Sequence, residues 1–263
     1  MSVLPDDTIV GMVHLSALPG APGYDGNFDA VRTRALADAR ALEAGGVDAI
    51  MVENFGDTPF YPDDVPKHIV ASMTRVATEL RRAVDLPLGV NVLRNDAEAA
   101  LSVATAAEAE FVRVNVHTGT RLTDQGIAEG RAHETLRLRD ELDSDVALFA
   151  DVDVKHSAPL AERPTAELVA EAVERGRADG LVVSGPGTGR PVDANSLESV
   201  VARRDELGVE TPVLVGSGTT PENVSGLLDV ADGAIVGTAL KAGNETTNPV
   251  DEARVTELVS RRR

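Results

Sequence analysis

Apolar runs of strand length alternate with amphipathic, helix-like stretches along the chain. Eight such runs, built mainly from valine, isoleucine, leucine and alanine, occupy residues 8–15, 47–54, 86–93, 111–117, 146–155, 179–185, 211–218 and 232–240. The windows between them are rich in alanine and acidic residues, as in residues 30–45 and 165–176. Strands that are buried on both faces of a parallel sheet have this nearly continuous apolar character. The pattern therefore predicts repeated βα units.

The number of units favours a closed barrel. Eight βα units in 263 residues fit a (β/α)8 TIM barrel, which typically needs about 250 residues. An open doubly wound sheet is the competing fold, but no strand is followed by a G-x-G-x-x-G motif. No linker or change of composition divides the chain. We therefore predict one α/β barrel domain over residues 1–263.

Composition restricts the chemistry and the partners. The chain has no cysteine, which excludes disulfides, thiolate zinc sites and cysteine nucleophiles. Its 43 acidic and 25 basic residues give a net charge of −18, so nucleic acid is not an expected partner. No apolar stretch has the length of a membrane span and no signal-peptide pattern is present, so we expect no membrane partner and a cytoplasmic location.

Lysine is scarce in this chain. Only Lys67, Lys155 and Lys241 occur, and every other basic residue is arginine. An acidic, lysine-poor surface is typical of adaptation to high salt, where screening relieves self-repulsion, and predicts a halophilic, haloarchaeal protein. The alternative is an acidic protein from a high-GC genome.

The fifth predicted strand carries charges at alternate positions. Asp151, Asp153 and Lys155 occur in the segment FADVDVKH, and residues at this spacing point to one side of a strand. In TIM barrels the reacting groups lie at the carboxyl ends of the strands. We therefore predict that these side chains face the mouth of the barrel.

The fourth strand repeats the pattern with Arg113, Asn115 and His117. A salt bridge between Asp151 and Arg113 would serve the structure as well as the chemistry. The catalytic candidates are Lys155, Asp153, Asp151, Glu53, His14, Arg113 and Asn115. The predicted substrate-binding residues, also at strand ends, are Asn54, Asn91, Arg94, Ser184 and Gly185.

Glycine-rich segments end the seventh and eighth strands. Loops after these two strands often bind phosphate in TIM barrels, through backbone N–H groups that glycine lets a ligand approach. The predicted phosphate site consists of Gly216, Ser217, Gly218, Gly237 and Thr238. Two long segments, 54–68 and 117–131, are predicted to be loops that cover or bind substrate.

The chain contains several long and distinctive motifs. They include GMVHLSALPGAPGY, GGVDAIMVENFGDTPFY, NVLRNDAEAAL, ADVDVKHSAPL and LVVSGPGTG. These motifs resemble the BtpA family, and the resemblance covers residues 8–241. The residues that match the family pattern are His14, Glu53, Asn54, Asn91, Arg94, Arg113, Asn115, Asp151, Lys155 and His156. The resemblance implies a TIM barrel related to the ribulose-phosphate-binding barrels. It implies either an enzyme of sugar metabolism or a factor that stabilises photosystem I.

The favoured hypothesis is an isomerase or lyase that acts on a small phosphorylated sugar or nucleotide-like molecule. Three mechanisms compete: Lys155 forms a Schiff base, or it stays charged beside an enediolate while Asp153 or Glu53 moves the proton, or Glu53, Asp151 and Asp153 hold a divalent metal. We favour the charged lysine, with no cofactor required. A non-catalytic assembly factor and a regulatory ligand-binding barrel are the alternatives, and we expect a homo-oligomer.

Overall fold

The computed structural model describes residues 4–185 and 187–262. Eight parallel strands form a barrel in the order β1-β11-β10-β9-β7-β4-β3-β2, and the pairing of β2 with β1 closes it. They are β1 (Thr8–His14), β2 (Ala49–Glu53), β3 (Leu88–Asn91), β4 (Phe111–Val114), β7 (Ala147–Asp153), β9 (Gly180–Val183), β10 (Val213–Val215) and β11 (Gly233–Val236). Three further strands, β5 (Thr120–Thr123), β6 (Gly126–Glu129) and β8 (Ser157–Pro159), form a separate antiparallel sheet. The predicted TIM barrel is confirmed.

Helices follow the barrel strands. They are α1 (Phe28–Ala44), α2 (Lys67–Ala83), α3 (Ala97–Ala106), α4 (Ala132–Glu141), α5 (Thr165–Ala170), α6 (Ala194–Glu206), α7 (Val224–Leu228) and α8 (Glu252–Ser260). Asn27, Asp96 and Asp193 cap α1, α3 and α6 by accepting a hydrogen bond from an N–H group in the first turn. A π-helical turn, Glu171–Arg175, continues α5. Within the described ranges no helix combines the length and the apolar character needed to cross a bilayer.

Two phenylalanine rings fill the lower part of the barrel interior. Phe111 and Phe149 stack with their centroids 5.2 Å apart. A Cβ atom at Gly89 would lie 2.2 Å from the Phe111 ring, and one at Gly180 would lie 2.7 Å from the Phe149 ring. Glycine on the neighbouring strands therefore makes room for each ring. The remaining core is aliphatic, as the composition predicts.

The long segment after β4 is not an irregular loop. Residues 120–129 form the β5–β6 hairpin, and β5 also pairs with β8, so that Leu122 lies opposite both Ile127 and Ala158. The predicted long loop over 117–131 therefore contains regular structure, and its role in covering or binding substrate stays a prediction. The local signal of this hairpin is the Asp124-Gln125-Gly126 turn, in which Gly126 has φ +106°.

We expect the acidic surface to make stability depend on salt. With a net charge of −18, screening should relieve self-repulsion, so the melting temperature should rise from physiological to molar potassium chloride. Differential scanning calorimetry over that range measures the effect. A melting temperature that does not change with salt would contradict the prediction of a halophilic protein.

Candidate functional site

The carboxyl ends of the barrel strands surround a cavity of about 530 Å³, which we call the mouth cavity. The structure brings together many of the residues predicted from sequence, although they come from six different strands. Nine of them line it: His14, Glu53, Arg113, Lys155, Gly216, Ser217, Gly218, Gly237 and Thr238. Four of the seven candidate catalytic residues and all five predicted phosphate-binding residues therefore share one cavity.

A buried salt bridge joins two neighbouring strands at the base of this cavity. Arg113 donates from Nε to Asp151 Oδ1 at 2.7 Å and from Nη2 to Asp151 Oδ2 at 2.8 Å. The side chains are only 1% and 0% exposed. Asn115 donates to Asp151 Oδ2 at 3.2 Å, and Ser184 Oγ accepts from Arg113 at 3.2 Å. Because each charge is fully engaged, this group holds β4, β7 and the end of β9 together.

Lys155 lies above this salt bridge and lines the mouth cavity. Among the described residues its ammonium has no salt bridge or hydrogen-bond partner, while its carbonyl accepts from Arg94 Nη2 at 2.5 Å. Burial lowers the pKa of Lys155, and the positive charge of Arg113 lowers it further. The residue therefore offers a free cation that loses its proton more readily than an ordinary lysine.

His14 and Glu53 face each other across β1 and β2. His14 Nε2 lies 3.8 Å from Glu53 Oε1, and its ring centroid lies 4.8 Å from that of Phe55. Burial holds the pKa of His14 well below its ordinary value, and the charges of Lys241 and Lys155 lower it further. His14 is therefore a neutral imidazole at physiological pH, and its Nδ1 is buried without a partner among the described residues.

Asp153 does not share the interior face with Asp151 and Lys155. The pairing of β7 with β9 shifts register between Asp151 and Asp153, so the strict alternation of a strand is lost there. The Asp153 carboxylate is 59% exposed and accepts from Arg121 of β5 at 2.6 Å. The predicted position of Asp153 beside Lys155 at the mouth is therefore wrong.

Three predicted substrate-binding residues do not line the mouth cavity. Asn54 Oδ1 accepts from the Leu93 N–H at 2.7 Å, which ties the loops after β2 and β3 together. Asn91 donates to the Arg113 carbonyl of β4 at 2.8 Å and keeps a buried Oδ1 without a partner among the described residues. Arg94 is 5% exposed and donates to the Lys155 carbonyl. Contact of Asn54, Asn91 and Arg94 with a ligand stays a prediction.

His117 also departs from the expected alternation. β4 ends at Val114, and the His117 ring turns outwards, where Nε2 lies 2.7 Å from the Gly176 carbonyl after the π-helical turn. A ring nitrogen at this distance from a carbonyl must carry the proton and donate it. His117 therefore contributes to packing outside the barrel rather than to the mouth cavity.

A second cavity, of about 650 Å³, lies beside β4, β7 and β9, and we call it the flanking cavity. Asn115, Asp151, Ser184 and Gly185 line it together with Lys155, which belongs to both cavities. The Gly185 N–H donates to Ser217 Oγ at 2.9 Å. Ser184 and Gly185 thus lie at the boundary between the two cavities.

The predicted metal ligands do not converge. Asp151 is engaged by Arg113 and Asp153 by Arg121, whereas Glu53 lies beside His14. In the part of the chain that the structure describes, no three acidic or histidine side chains are placed to hold a metal ion. Glu53, Asp151 and Asp153 therefore do not form a common set of metal ligands.

The loops after β10 and β11 form the opposite wall of the mouth cavity. The Gly216 N–H is taken by the Val183 carbonyl, but those of Ser217, Gly218 and Thr219 have no partner among the described residues. Gly218 has φ +74°, and a Cβ atom there would lie 2.3 Å from Pro191 Cα. The loop therefore requires glycine, and it presents backbone donors at the cavity.

The hydroxyl groups of the two predicted phosphate ligands are already engaged. Ser217 Oγ accepts from Gly185 and donates to the Arg190 carbonyl at 3.2 Å, and Thr238 Oγ1 lies 2.8 Å from Thr246 Oγ1. The buried Oγ1 of Thr219 has no partner among the described residues. Thr219 is therefore the better hydroxyl donor, and its position in the GSGTT segment could have indicated it.

Arg254 of α8 also lines the mouth cavity beside the β11 loop. Its Nε donates to the Ala239 carbonyl at 2.9 Å, and its Nη2 contacts Asn244. Sequence reasoning did not find this cation, because it lies in the last helix and far from any recognisable motif. It adds positive charge close to the free N–H groups.

Lys241 is fully buried behind the β11 loop. Its Nζ donates to the Met12 carbonyl at 2.9 Å and lies 3.3 Å from Asp38 Oδ2 of α1. Asp38 Oδ1 also accepts from the Val250 N–H at 2.8 Å. This cluster connects β1, α1 and the C-terminal segment. Burial lowers the pKa of Lys241 to about 8.

We expect this shifted pKa to appear as a pH dependence of stability. An unfolded lysine titrates near 10.5, so between pH 8 and 10.5 the unfolded chain binds more protons and the contribution of Lys241 to stability rises with pH. Urea titrations should show that the free energy of unfolding of wild type rises by on the order of 3 kcal/mol relative to that of Lys241→Met between pH 8 and 10.5. Lys67→Met, at an exposed position, is the control. If the free energies of unfolding of wild type and Lys241→Met changed in parallel with pH, the lowered pKa of Lys241 would be contradicted.

Solved structures share the fold. A mutant tryptophan synthase α-subunit from Pyrococcus furiosus superimposes with a TM-score of 0.62 at 18% identity, covering 98% of this chain and 100% of that chain. N-(5′-phosphoribosyl)anthranilate isomerase from the same organism superimposes with a TM-score of 0.59 at 14% identity, covering 97% and 98%. At such identities the likeness establishes the barrel fold alone.

Relatives at higher identity identify the family. An uncharacterised protein of Thermococcus kodakarensis is 51% identical over 95% of this chain and 93% of its own. The photosystem I biogenesis protein BtpA of Synechocystis is 45% identical over 95% of this chain and 86% of its own. The BtpA family sequence model matches residues 5–263. The chain therefore belongs to the BtpA family.

Proposed function

We propose that this protein is an enzyme that acts on a small phosphorylated metabolite, by isomerase or lyase chemistry at the carboxyl end of the barrel. The observation that carries the proposal is the mouth cavity itself, in which free backbone donors lie on one wall and Lys155 on another. The structural neighbours include a thiamine phosphate pyrophosphorylase and phosphoribosylanthranilate isomerases, whose names refer to phosphorylated compounds. This likeness supports the substrate class and does not specify the reaction.

The phosphate would bind at the loops after β10 and β11. The N–H groups of Ser217, Gly218 and Thr219 supply donors, and Arg254 supplies a cation. Such a site fixes one end of the substrate and leaves the other end over the centre of the barrel, beside Lys155. Binding energy from the phosphate would then serve to orient the reacting carbons.

Proton transfer would take place between Glu53, His14 and the substrate. Glu53 removes a proton from the carbon next to a carbonyl, and the electron pair moves onto the carbonyl oxygen to give an enediolate. Charged Lys155 stabilises the negative oxygen. The protonated Glu53 then returns its proton to the former carbonyl carbon, while the neutral His14 N–H gives a proton to one oxygen of the enediolate and takes one back from the other. Return of the proton completes an isomerisation, whereas loss of a leaving group from the intermediate gives a lyase reaction.

A Schiff base on Lys155 is the alternative mechanism. The neutral amine would add to a substrate carbonyl with loss of water, and the lowered pKa of Lys155 makes that form more accessible. We favour the charged role because the carboxylates of Glu53 and Asp151 oppose the lowering of the Lys155 pKa that burial and Arg113 cause.

The anion site is tested by a substitution at Gly237. A Cβ atom there would lie 2.8 Å from His14 Cε1, so Gly237→Ala should displace the ring and narrow the cavity. We expect the affinity for inorganic phosphate, measured by isothermal titration calorimetry, to fall about tenfold. Gly226→Ala is the control, because nothing lies within 4 Å of a Cβ atom at that position. Wild-type protein that does not bind phosphate would refute the proposed function.

A second candidate is a non-catalytic assembly or stability factor. The observation in its favour is the 45% identity to the photosystem I biogenesis protein BtpA of Synechocystis. The mouth cavity is not needed for such a role. A factor of this kind should therefore keep its function when Lys155 is replaced.

A further inference from the structure

The flanking cavity adjoins the candidate active site but is not used by the chemistry proposed above. It extends from Lys155 and Asp151, past the ends of β4, β7 and β9, to the inner faces of α5 and α6. Lys155 lines both cavities, so the two spaces adjoin at this residue.

The two cavities border neighbouring strands of the barrel. The free backbone donors follow β10, whereas the flanking cavity adjoins β4, β7 and β9, and β9 is a direct neighbour of β10 in the strand order. A ligand with its phosphate at the β10 loop therefore lies close to the second cavity.

The inner wall of the flanking cavity is apolar. Val152 and Val154 of the β7 segment line it together with Leu168, Ala172 and Val200. These side chains are buried or partly buried, and most of them also pack in the core between the barrel and the helices. A space of this character favours a hydrocarbon surface over a charged group.

The charged residues that line the cavity are mostly engaged by neighbouring groups. Asp151 binds Arg113 at 2.7 Å and Asp153 binds Arg121 at 2.6 Å. Arg163 contacts Glu171 at 2.7 Å, and Asp193 accepts from the first turn of α6. The cavity therefore offers no free cation besides Lys155 within the described ranges, and a second anionic group has no partner there.

We propose that the flanking cavity binds an uncharged ring or short carbon chain attached to the phosphorylated sugar, so that the substrate is bipartite and Lys155 lies at the junction of its two parts. This inference rests on the proposed function, because the phosphate must occupy the mouth cavity. It narrows the substrate class from any small phosphorylated metabolite to one that carries a neutral, largely apolar substituent.

The experiment compares three probes by isothermal titration calorimetry: inorganic phosphate, ribose 5-phosphate and adenosine 5′-monophosphate. The adenine ring is uncharged and extends the phosphorylated sugar beyond Lys155. We expect the affinity for adenosine 5′-monophosphate to be at least about tenfold higher than the affinity for ribose 5-phosphate. Leu168→Trp, which fills the cavity, should remove this difference and leave phosphate affinity unchanged.

Leu138→Trp is the matched control, since Leu138 of α4 is also partly buried against the core and lines neither cavity. If Leu168→Trp does not fold, Leu168→Ala, which enlarges the cavity, should still lower the affinity for the nucleotide alone. Equal affinities of wild type for ribose 5-phosphate and adenosine 5′-monophosphate would overturn this inference and leave the phosphate site intact. Absence of binding by all three probes would overturn the proposed function as well.

Discussion

Replacing Lys155 by alanine should lower turnover by about 10²–10³-fold or more, because the ammonium that stabilises the developing negative charge is lost. Binding of inorganic phosphate should persist, since the phosphate donors lie on the opposite wall of the mouth cavity. Lys155→Arg should not restore activity. A guanidinium keeps the charge but is larger, planar and unable to release its proton. Turnover is measured in a screen of phosphorylated sugars and nucleotides, with Lys67→Ala as the control at an exposed lysine.

Two outcomes would change the assignment of Lys155. Near-normal turnover by Lys155→Ala would make this residue a structural counter-ion. A substrate adduct on Lys155 after borohydride reduction would favour the Schiff base over the electrostatic role. In cells, complementation of a deletion strain by Lys155→Ala would favour the non-catalytic assembly factor, because that role does not require the cavity.

Replacing Asp151 by asparagine should have the largest effect on stability. The substitution leaves the Arg113 guanidinium buried without its counter-charge, at a site where both side chains are 1% exposed or less. Breaking a buried pair on one side costs about 3–5 kcal/mol. We expect a loss of this size in the free energy of unfolding, measured by urea titration.

Asp153→Asn is the matched control for this measurement. The same substitution two residues later breaks a salt bridge whose carboxylate is 59% exposed, and such pairs contribute about 0–1 kcal/mol. Equal losses from the two substitutions would contradict the assignment of Asp151 to the structural core of the barrel mouth. Asp153→Asn should also leave turnover nearly unchanged, in contrast to the sequence-based assignment of Asp153 as a proton carrier.

Periodicity and position at strand ends were enough to predict the barrel and much of its mouth. Arg113, Lys155 and Glu53 could be placed because each stands at the end of an apolar run, where a parallel barrel collects its polar groups. The glycines after β10 and β11 could be predicted because these loops lie so close to other parts of the chain that no side chain fits there. These inferences need only the local sequence and the fold.

The errors arose where tertiary contacts override local patterns. A register shift in β7 carries Asp153 out of the alternation that its spacing predicted. Asn54 follows a buried strand, as candidate ligands do, but its amide is taken by the backbone of Leu93. Arg254 reaches the cavity from α8, a contact between distant parts of the chain that no local pattern encodes.

The placement of the lysines has a practical consequence for chemical labelling. Lys241 is 0% exposed and Lys155 lines the mouth cavity, so Lys67, at the start of α2, is the one fully accessible lysine in the described ranges. A succinimidyl ester should therefore attach a dye or tether at Lys67 in preference to the other two lysines. Lysine-linked molecules on a sensor surface would then share one orientation, with the attachment point on the same end of the barrel as the ligand cavity.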